Sequence, residues 1–466
     1  MTYLTLNYLI LCIATFVLYY LIPLKARWVV LLLASVFFYY MNGWDALIVM
    51  AVSGILCWVI GKGIVKKKSK GLLALGVVLC LVPLVTIKVN QFHIFSDTLI
   101  YPLGVSFYSL QLVSYLVDLY KEKVEEEKNP FRFFLYVLWF PQIIQGPITR
   151  IDKAKEILKG HAFSEENVTR GIQLVIWGLF LKYMIAEKAG VIVDTVFADT
   201  ETFGGLFVLM AGILYSIQLY TDFLSCVKMS QGVSWMFGVQ IIDNFNRPYF
   251  AESIGEFWRR WHISLSSWLR DYVYIPLGGN RKGAVRKYIN LMLTFLVSGF
   301  WHGNGWNFIF WGALHGVYQI GENLIFSKKK KTEKGTSQPI HFVRILITDF
   351  LAMIAWIFFR TDTVRHGFEM ILSIAKDFNP WILGDSAIWG LLNTDIHEAQ
   401  LLLVMILVLF FIEVIQEYKK VSFGETILKQ NIIIRWVIYL TVIAMIWVMG
   451  TYGNGFDAKA FIYGGF

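Results

Sequence analysis

The chain has 466 residues, of which 57% are hydrophobic and only 16% are charged, and its formal net charge is +9. A soluble globular domain carries about a quarter charged residues, so this composition excludes an ordinary soluble domain. The positive charge alone could indicate nucleic acid, but the basic residues fall in short clusters between apolar runs, as they do in membrane proteins. We therefore expect the protein to interact with the lipid bilayer and not with nucleic acid.

Apolar runs that approach or reach the length of a bilayer crossing recur along the whole chain. A crossing helix needs about 20 residues. The sequence therefore predicts an all-α polytopic integral membrane protein with about 11–12 membrane helices and no separate soluble domain. The apolar runs are residues 3–22, 28–41, 44–60, 72–87, 98–119, 206–220, 290–301, 308–320, 342–359, 401–414 and 432–449.

The first apolar run lacks the basic segment and the small-residue cleavage site of a signal peptide, so we expect it to be the first membrane helix. The loops that follow carry basic clusters, which the positive-inside rule places in the cytoplasm. This orientation predicts that the N-terminus and residues 453–466 are both extracytoplasmic. The basic clusters are residues 23–27, 61–70, 121–128, 327–334 and 418–420.

Residues 221–289 interrupt the apolar pattern with Arg, Asp, Asn, Gly and Pro, yet they are rich in aromatic residues. Irregular backbone at membrane depth persists only where it is buried in protein or lines a water-filled cavity. We therefore predict short interfacial and re-entrant helices that form the floor of a chamber. Ser253 and Glu256 match a capping box, so one helix should begin near Ile254.

Residues 253–274 show the spacing of apolar residues that is typical of a helix. Phe257, Trp261 and Leu265 fall on one stripe of this predicted helix, while Trp258, His262 and Leu269 fall on a neighbouring stripe. Arg259 and Arg260 lie on other faces. The two arginines either reach the aqueous interface or clamp the phosphates of an anionic acyl carrier, and the sequence leaves both interpretations open.

Three histidines, His262, His302 and His315, lie in aromatic and apolar sequence, whereas the other five lie in polar contexts. A buried imidazole needs a hydrogen-bond partner or a chemical task. The four cysteines lie in or beside apolar runs without paired spacing, which indicates neither disulfides nor a metal site. We expect no metal ion and no permanently bound cofactor.

Several segments, in order along most of the chain, resemble the membrane-bound O-acyltransferase superfamily, and in particular its bacterial alginate and peptidoglycan O-acetyltransferase branch. The longest is "NFNRPYFAESIGEFWRRWHISLSSWLRDYVYIPLGGN", followed by "SGFWHGNGWNFIFWGALHG". Where relatives in this branch read "DFSGYSD", this chain reads "DFLSCVK", which keeps Asp222 and leaves the acceptor open. The other matching segments are "PLGVSFYSLQLVSYLVDLY", "FPQIIQGPITR", "YSIQLYTDF" and "WIFFR".

The resemblance implies a single membrane O-acyltransferase domain, residues 1–466, with a central tunnel in the bacterial cytoplasmic membrane. Its parts would be N-terminal helices (1–220), a catalytic core (221–325), C-terminal helices (326–452) and an extracytoplasmic tail (453–466). The donor would be acetyl-CoA or another acyl thioester from the cytoplasm. The acceptor would be a cell-surface or extracellular polysaccharide.

The resemblance also implies roles for individual residues. His302 matches the invariant histidine of the superfamily, and His262 matches a second polar position on an upstream helix. Acyl transfer from a thioester to a hydroxyl needs a base, oxyanion donors and exclusion of water. His302 suits the general base, and His262 would hold the donor or relay a proton. The expected substrate contacts are Arg259, Arg260, Trp261, Trp301, Asn304 and His315.

The last six residues, "FIYGGF", resemble the F-x-Y-x-x-F motif that ends proteins of this branch. The resemblance implies that Tyr463 carries the acyl group to a separate extracytoplasmic acetyltransferase partner. A phenol, with a pKa near 10, leaves more readily than an alkyl alcohol, so an acyl-tyrosine is a transferable intermediate.

Three other functions stay open. The first is D-alanyl transfer to teichoic acid, which related proteins perform. In that branch the tyrosine motif resembles one carried on a separate small protein, whereas here the motif is part of the chain, which favours acetyl transfer to a glycan. Acylation of a lipid or a protein would need a wide donor pocket, which a sequence cannot show. A non-enzymatic transporter is disfavoured because no internal repeat is visible and only Asp349 places an acid well inside an apolar run.

Overall fold

The computed structural model describes residues 3–90, 100–303, 305–326, 338–384 and 387–452, and these contain helices and no strand. The helices are α1 (Leu6–Leu21), α2 (Arg27–Tyr40), α3 (Trp44–Lys67), α4 (Lys70–Asn90), α5 (Val105–Tyr120), α6 (Pro130–Leu138), α7 (Glu165–Phe180), α8 (Glu187–Ala198), α9 (Gly205–Met236), α10 (Ile254–Arg260), α11 (Ile263–Leu269), α12 (Ala284–His302), α13 (Trp306–Phe326), α14 (Gln338–Arg360), α15 (Val364–Lys376), α16 (Ala387–Leu391), α17 (Ile396–Lys419), α18 (Phe423–Leu428) and α19 (Ile432–Met449).

Every predicted apolar run forms a helix over most of its described length. Within the described ranges, six helices are long and apolar enough to cross a membrane: α3, α4, α9, α14, α17 and α19. Helix α19 buries only Tyr439, as expected for a helix that faces lipid on most of its surface. The prediction of an all-α polytopic membrane protein is confirmed, while the number of crossings and the central tunnel stay predictions.

The chain divides into two compact units. Their described residues fall within Met1–Gly178 and Cys226–Asp243 for the first unit, and within Leu179–Ser225 and Asn244–Phe456 for the second. The single domain with four consecutive parts stays a prediction. Both histidines of the predicted catalytic pair belong to the second unit.

The first unit has a core rich in buried tyrosine and phenylalanine side chains, and some of the tyrosine hydroxyls donate to backbone carbonyl oxygens. The Tyr3 hydroxyl donates to the carbonyl oxygen of Pro141 at 2.7 Å, and the Tyr19 hydroxyl donates to that of Phe237 at 3.2 Å. A buried hydroxyl without such a partner would destabilise the core by about 1–3 kcal/mol. These bonds therefore fix the ends of α1 against later parts of the same unit.

In the second unit, α12 and α13 form a closely packed hairpin, and α13 also packs on α14. Two glycines permit the close approach: a Cβ atom on Gly299 would overlap the carbonyl oxygen of Phe308, and one on Gly312 would overlap that of Phe295. Small residues let helix backbones approach closely in membranes. The hairpin thus carries His302, the last residue of α12, towards the aromatic face of α14.

The helix predicted to begin near Ile254 does begin there. The Ser253 hydroxyl accepts a hydrogen bond from the backbone N–H of Glu256 at 3.1 Å, and the Glu256 carboxylate accepts one from the N–H of Glu252 at 3.1 Å. The prediction that this helix continues through His262 is wrong. Helix α10 ends at Arg260 and α11 begins at Ile263, and His262 between them has a left-handed φ of 43°.

The break at His262 is caused by hydrogen bonds from α11 to Asn244, which lies earlier in the chain. The backbone oxygen of Asn244 accepts from the N–H of Ile263 at 2.9 Å, and its side-chain oxygen accepts from the N–H of Ser264 at 3.0 Å. These donors would otherwise bond to the preceding helical turn, so Asn244 caps α11 from outside. The two helical stripes predicted across residues 253–274 are therefore not continuous.

Candidate active site

His302 lies at the end of α12 in a pocket of aromatic rings. Its side chain is almost fully buried. The centroids of the Trp301, Trp311 and Phe359 rings lie 4.8, 5.0 and 5.5 Å from that of its imidazole. All three contacts are edge-on, so the rings enclose the imidazole. Such an enclosure excludes water from the histidine, as acyl transfer requires.

His262 lies in the same enclosure. Its ring centroid is 6.3 Å from that of His302 and 5.9 Å from that of Trp301, and the ring of Phe223 packs edge-on against it at 4.8 Å. The structure therefore brings together His262, His302 and Trp301, all of which the sequence analysis names as candidate site residues. At this spacing, one small acyl group could contact both imidazoles.

His262 is neutral at physiological pH. It lies between two seven-residue helices, neither of which can cross a membrane, and it is fully buried. Burial lowers the pKa of His262 from its ordinary 6.5 to about 3, because the charged form loses its hydration. A neutral imidazole offers one hydrogen-bond donor and one acceptor, which suits either holding a substrate or relaying a proton.

His315 lies behind Trp311, away from the pair. The Trp311 ring centroid is 5.0 Å from that of His302 and 5.1 Å from that of His315. The indole N–H of Trp258 donates to Nδ1 of His315 at 3.2 Å, which leaves the proton of the neutral ring on Nε2. His315 is thus held within the aromatic packing around the pair.

Trp261 directly precedes His262 in the chain and is fully buried. Its ring stacks on Phe257 with centroids 5.5 Å apart and 14° between planes, and it contacts Trp356 at 5.0 Å. Trp261 and Trp356 thereby join α10 to α14. This packing holds the end of α10, directly before His262.

The two arginines differ in their surroundings. The Arg260 guanidinium pairs with Glu256 at 2.7 Å and with Glu417 of α17 at 3.1 Å, and Arg247 bonds the same Glu417 at 2.7 Å. Arg259 is exposed and forms no ion pair with any residue in the described part of the chain. Only Arg259 of the two is therefore available to a ligand.

A cleft of about 590 Å³ runs beside α12. Within the described residues, every charged side chain that lines it is basic: Arg259, Arg270 and Lys287. Its lining extends along α12 from Lys287 to Ser298, which is about 16 Å of helix. Ser298 lies one helical turn before His302, so the lining on α12 runs from Lys287 to the neighbourhood of the histidine pair.

Two predicted site residues, Asn304 and Tyr463, lie outside the described residues. Among the described residues, no group of three or more His, Cys, Asp or Glu side chains could hold a metal ion. The sequence reasoning missed Phe223, Asn244 and Phe359. Phe359 lies in the quoted segment "WIFFR" and Asn244 begins "NFNRPYF", so their positions were visible but their contacts were not.

A family model described as MBOAT, membrane-bound O-acyltransferase family, matches residues 33–361, a span that includes both histidines and α12 to α14. The chain belongs to this family. It is a multi-pass membrane O-acyltransferase, as its apolar helices and its relatives both support.

Relatives of this family member differ in their named acceptors. "Probable alginate O-acetylase AlgI" of Azotobacter vinelandii is 33% identical over 389 residues, which cover 79% of this chain and 76% of the relative. "Peptidoglycan O-acetyltransferase" of Helicobacter pylori is 36% identical over 300 residues, 59% of this chain and 56% of the relative. "Teichoic acid D-alanyltransferase" of Bacillus subtilis is 27% identical over 331 residues, 65% and 81% of the two chains.

Proposed function

We propose that this O-acyltransferase takes acetyl from a cytoplasmic thioester donor, such as acetyl-CoA, and passes it across the membrane for O-acetylation of a cell-surface or extracellular polysaccharide. The names of the alginate and peptidoglycan relatives support both the acetyl group and the polysaccharide. The observation that carries the chemistry is the buried pair His262 and His302, enclosed by Trp301 one helical turn beyond a cleft lined by basic residues.

In the proposed reaction His302 is the general base. It accepts the proton of the attacking hydroxyl while the hydroxyl oxygen forms a bond to the thioester carbonyl carbon. The carbon–sulfur bond then breaks, and the leaving thiolate takes the proton back from His302. His262, neutral because it is buried, holds the donor or the intermediate by a hydrogen bond, or relays the proton. The surrounding rings keep water from hydrolysing the thioester.

The cleft beside α12 is the proposed donor site. Arg259 and Lys287, which line it, suit the phosphates of coenzyme A, since guanidinium and ammonium groups bind phosphate by charge-assisted hydrogen bonds. Arg270 also lines the cleft but is paired with Asp271 at 2.8 Å. The length of the cleft along α12 would then separate the phosphates from a thioester near His302. The acetyl-CoA donor itself is part of the proposal.

Tyr463 is the proposed carrier of acetyl on the far side of the membrane. Its position in the tail, predicted to be extracytoplasmic, and the motif "FIYGGF" support this role. A separate extracytoplasmic transferase would take acetyl from the tyrosine and deliver it to the glycan. D-alanyl transfer is the second candidate, supported by the teichoic acid D-alanyltransferases among the relatives.

Release of the coenzyme A thiol from acetyl-CoA by the purified, full-length protein tests the proposed donor and base. We expect release by the wild type, almost none by His302→Ala, and no comparable reaction with a D-alanyl thioester of a carrier protein. Faster reaction with the D-alanyl thioester would replace acetyl transfer by the second candidate. Equal release by the wild type and His302→Ala would remove His302 from the mechanism.

A further inference from the structure

We infer that Lys182 is a positioning residue for His262, which acts through a buried ion pair with Asp222 and thereby fixes Phe223 against the imidazole. This inference rests on the proposed function for the importance of His262 in catalysis. Its principal test measures the position of His262 and does not depend on activity.

Lys182, Asp222 and Glu187 form a buried cluster of charges. The Lys182 ammonium lies 2.6 Å from the Asp222 carboxylate and also pairs with Glu187. The side chains of Lys182 and Asp222 are only 2% and 1% exposed. Charges buried in this way are tolerated only in a geometry that keeps them paired, and removing one partner costs about 3–5 kcal/mol. The cluster therefore restricts how α9 can move relative to the segment that carries Lys182.

Lys182 lies in a π-helical turn, Leu181–Ala186, between α7 and α8. Turns of this kind are rare, and many occur at functional sites. The next residue, Tyr183, contacts the far end of α19: its ring lies 5.6 Å from that of Tyr452, and its carbonyl oxygen accepts from the N–H of Thr451 at 3.3 Å. The turn thus joins α9, through Lys182, to the point where α19 ends.

Asp222 is followed on α9 by Phe223, which is fully buried. The Phe223 ring contacts the imidazole of His262 at 4.8 Å and the ring of Phe245 at 5.0 Å, both edge-on. A shift of α9 that separates Lys182 from Asp222 would also move Phe223. His262 would lose the ring that supports it on that side.

Lys188 offers a matched control. It lies six positions after Lys182, is also buried, and pairs with Glu398 of α17. The substitution Lys188→Met therefore removes a buried lysine charge from the same part of the chain, while the ion pair beside Phe223 stays intact. Any general effect of removing a buried lysine charge should appear in both variants. Glu398 is 47% exposed, so it is solvated by water once Lys188 is replaced.

The test treats the full-length protein in detergent with diethyl pyrocarbonate and measures modification of His262 by peptide mass spectrometry. The wild type should be protected, because His262 is fully buried. Lys182→Met should increase the modification several-fold, whereas Lys188→Met should resemble the wild type. With acetyl-CoA, Lys182→Met should lower kcat by about 10- to 100-fold, as expected for a displaced catalytic group. KM should change little, because the basic residues that line the cleft are untouched.

A second substitution, Phe223→Ala, acts on the supporting contact and leaves the charges in place, so it applies even where Lys182→Met fails to fold. It should expose His262, and adding Lys182→Met to it should expose His262 no further. Protection of His262 in Phe223→Ala or in folded Lys182→Met, or equal exposure in Lys188→Met, would overturn the inference. A wild type that is inactive with acetyl-CoA but shows the expected labelling would overturn the proposed donor and support the positioning role.

Discussion

The imidazole of His302, the proposed base, is surrounded by aromatic rings. Trp301, Trp311 and Phe359 contact the His302 imidazole, and Trp301 also contacts His262. An imidazolium formed in such surroundings is poorly solvated, so the proton should pass quickly to the leaving thiolate. The same rings limit hydrolysis of the thioester. Residues that shape this pocket should therefore affect the balance between transfer and hydrolysis.

His302→Ala should abolish acetyl transfer while the protein remains expressed and folded, because the base is lost and the cavity created is small. His262→Ala should cost less, since it removes a hydrogen-bonding group and leaves the base. His366→Ala, at a histidine of α15, is the control and should behave as wild type. The measurement is acetyl transfer from labelled acetyl-CoA in membranes. Equal losses for His262→Ala and His302→Ala would mean that the two act as one unit.

Arg259→Gln should raise KM for acetyl-CoA about tenfold, because a charge-assisted contact to phosphate contributes about 1.5 kcal/mol. Its kcat should change little, since the histidine pair is not altered. Arg365→Gln, at an exposed arginine of α15, is the control and should leave KM unchanged. An unchanged KM in Arg259→Gln would mean that Arg259 does not bind the donor.

His262 should make the protein less stable in acid. Its folded pKa of about 3 lies below its ordinary 6.5, so between these values the unfolded chain binds a proton that the folded chain does not. Its neutral burial is therefore fully tolerated above about pH 6.5 and costs stability as the pH falls. Between pH 7 and 5, the free energy of unfolding should fall by about 2 kcal/mol less in His262→Gln than in the wild type. The measurement is the thermal unfolding temperature of both proteins in detergent as a function of pH. The same pH dependence in the two proteins would contradict this prediction.

At the scale of elements, the α12–α13 hairpin holds His302 in place through two glycines. Gly312→Ala should separate the helices, destabilise the protein by about 1–3 kcal/mol and lower activity, because a methyl group would meet the carbonyl oxygen of Phe295. Gly321→Ala is the control on the same helix, where a Cβ atom meets nothing within 4 Å. It should be neutral or slightly stabilising. Thermal unfolding and activity of both variants make the comparison.

Apolar length and capping chemistry predict much of the fold, because both are local. The run 432–449 coincides with α19, and the capping box places the start of α10 at Ile254. The segment from α7 to α8 was missed, because Lys182, Glu187 and Lys188 interrupt its apolar pattern. These charges pair with residues distant in the chain, which a sequence read alone does not show. The break at His262 was missed for the same reason, since distant Asn244 causes it.

At the scale of the whole molecule, the proposal requires a partner. A long glycan has poor access to His262 and His302, because both are buried among aromatic rings. The chain alone in liposomes with acetyl-CoA should therefore not acetylate polymer, and adding the extracytoplasmic transferase should restore acetylation. Polymer acetylation by the chain alone would contradict this requirement.

Tyr463→Phe should separate carriage of acetyl from packing, because it removes only the hydroxyl. We expect this variant to cleave acetyl-CoA slowly, by leakage to water, and to transfer nothing to the glycan. The measurement compares thiol release with glycan acetylation in the presence of the partner. Normal glycan acetylation by this variant would mean that Tyr463 serves only as an anchor at the membrane interface.

In the proposed reaction, acetyl passes from a thioester to Tyr463 with His302 as the base. The most direct measurement incubates the purified full-length protein with isotopically labelled acetyl-CoA and determines the mass of the C-terminal peptide that contains Tyr463. We expect a labelled acetyl group on Tyr463 in the wild type and none in His302→Ala or Tyr463→Phe. An unlabelled Tyr463 in a wild-type protein that acetylates glycan with its partner would contradict it.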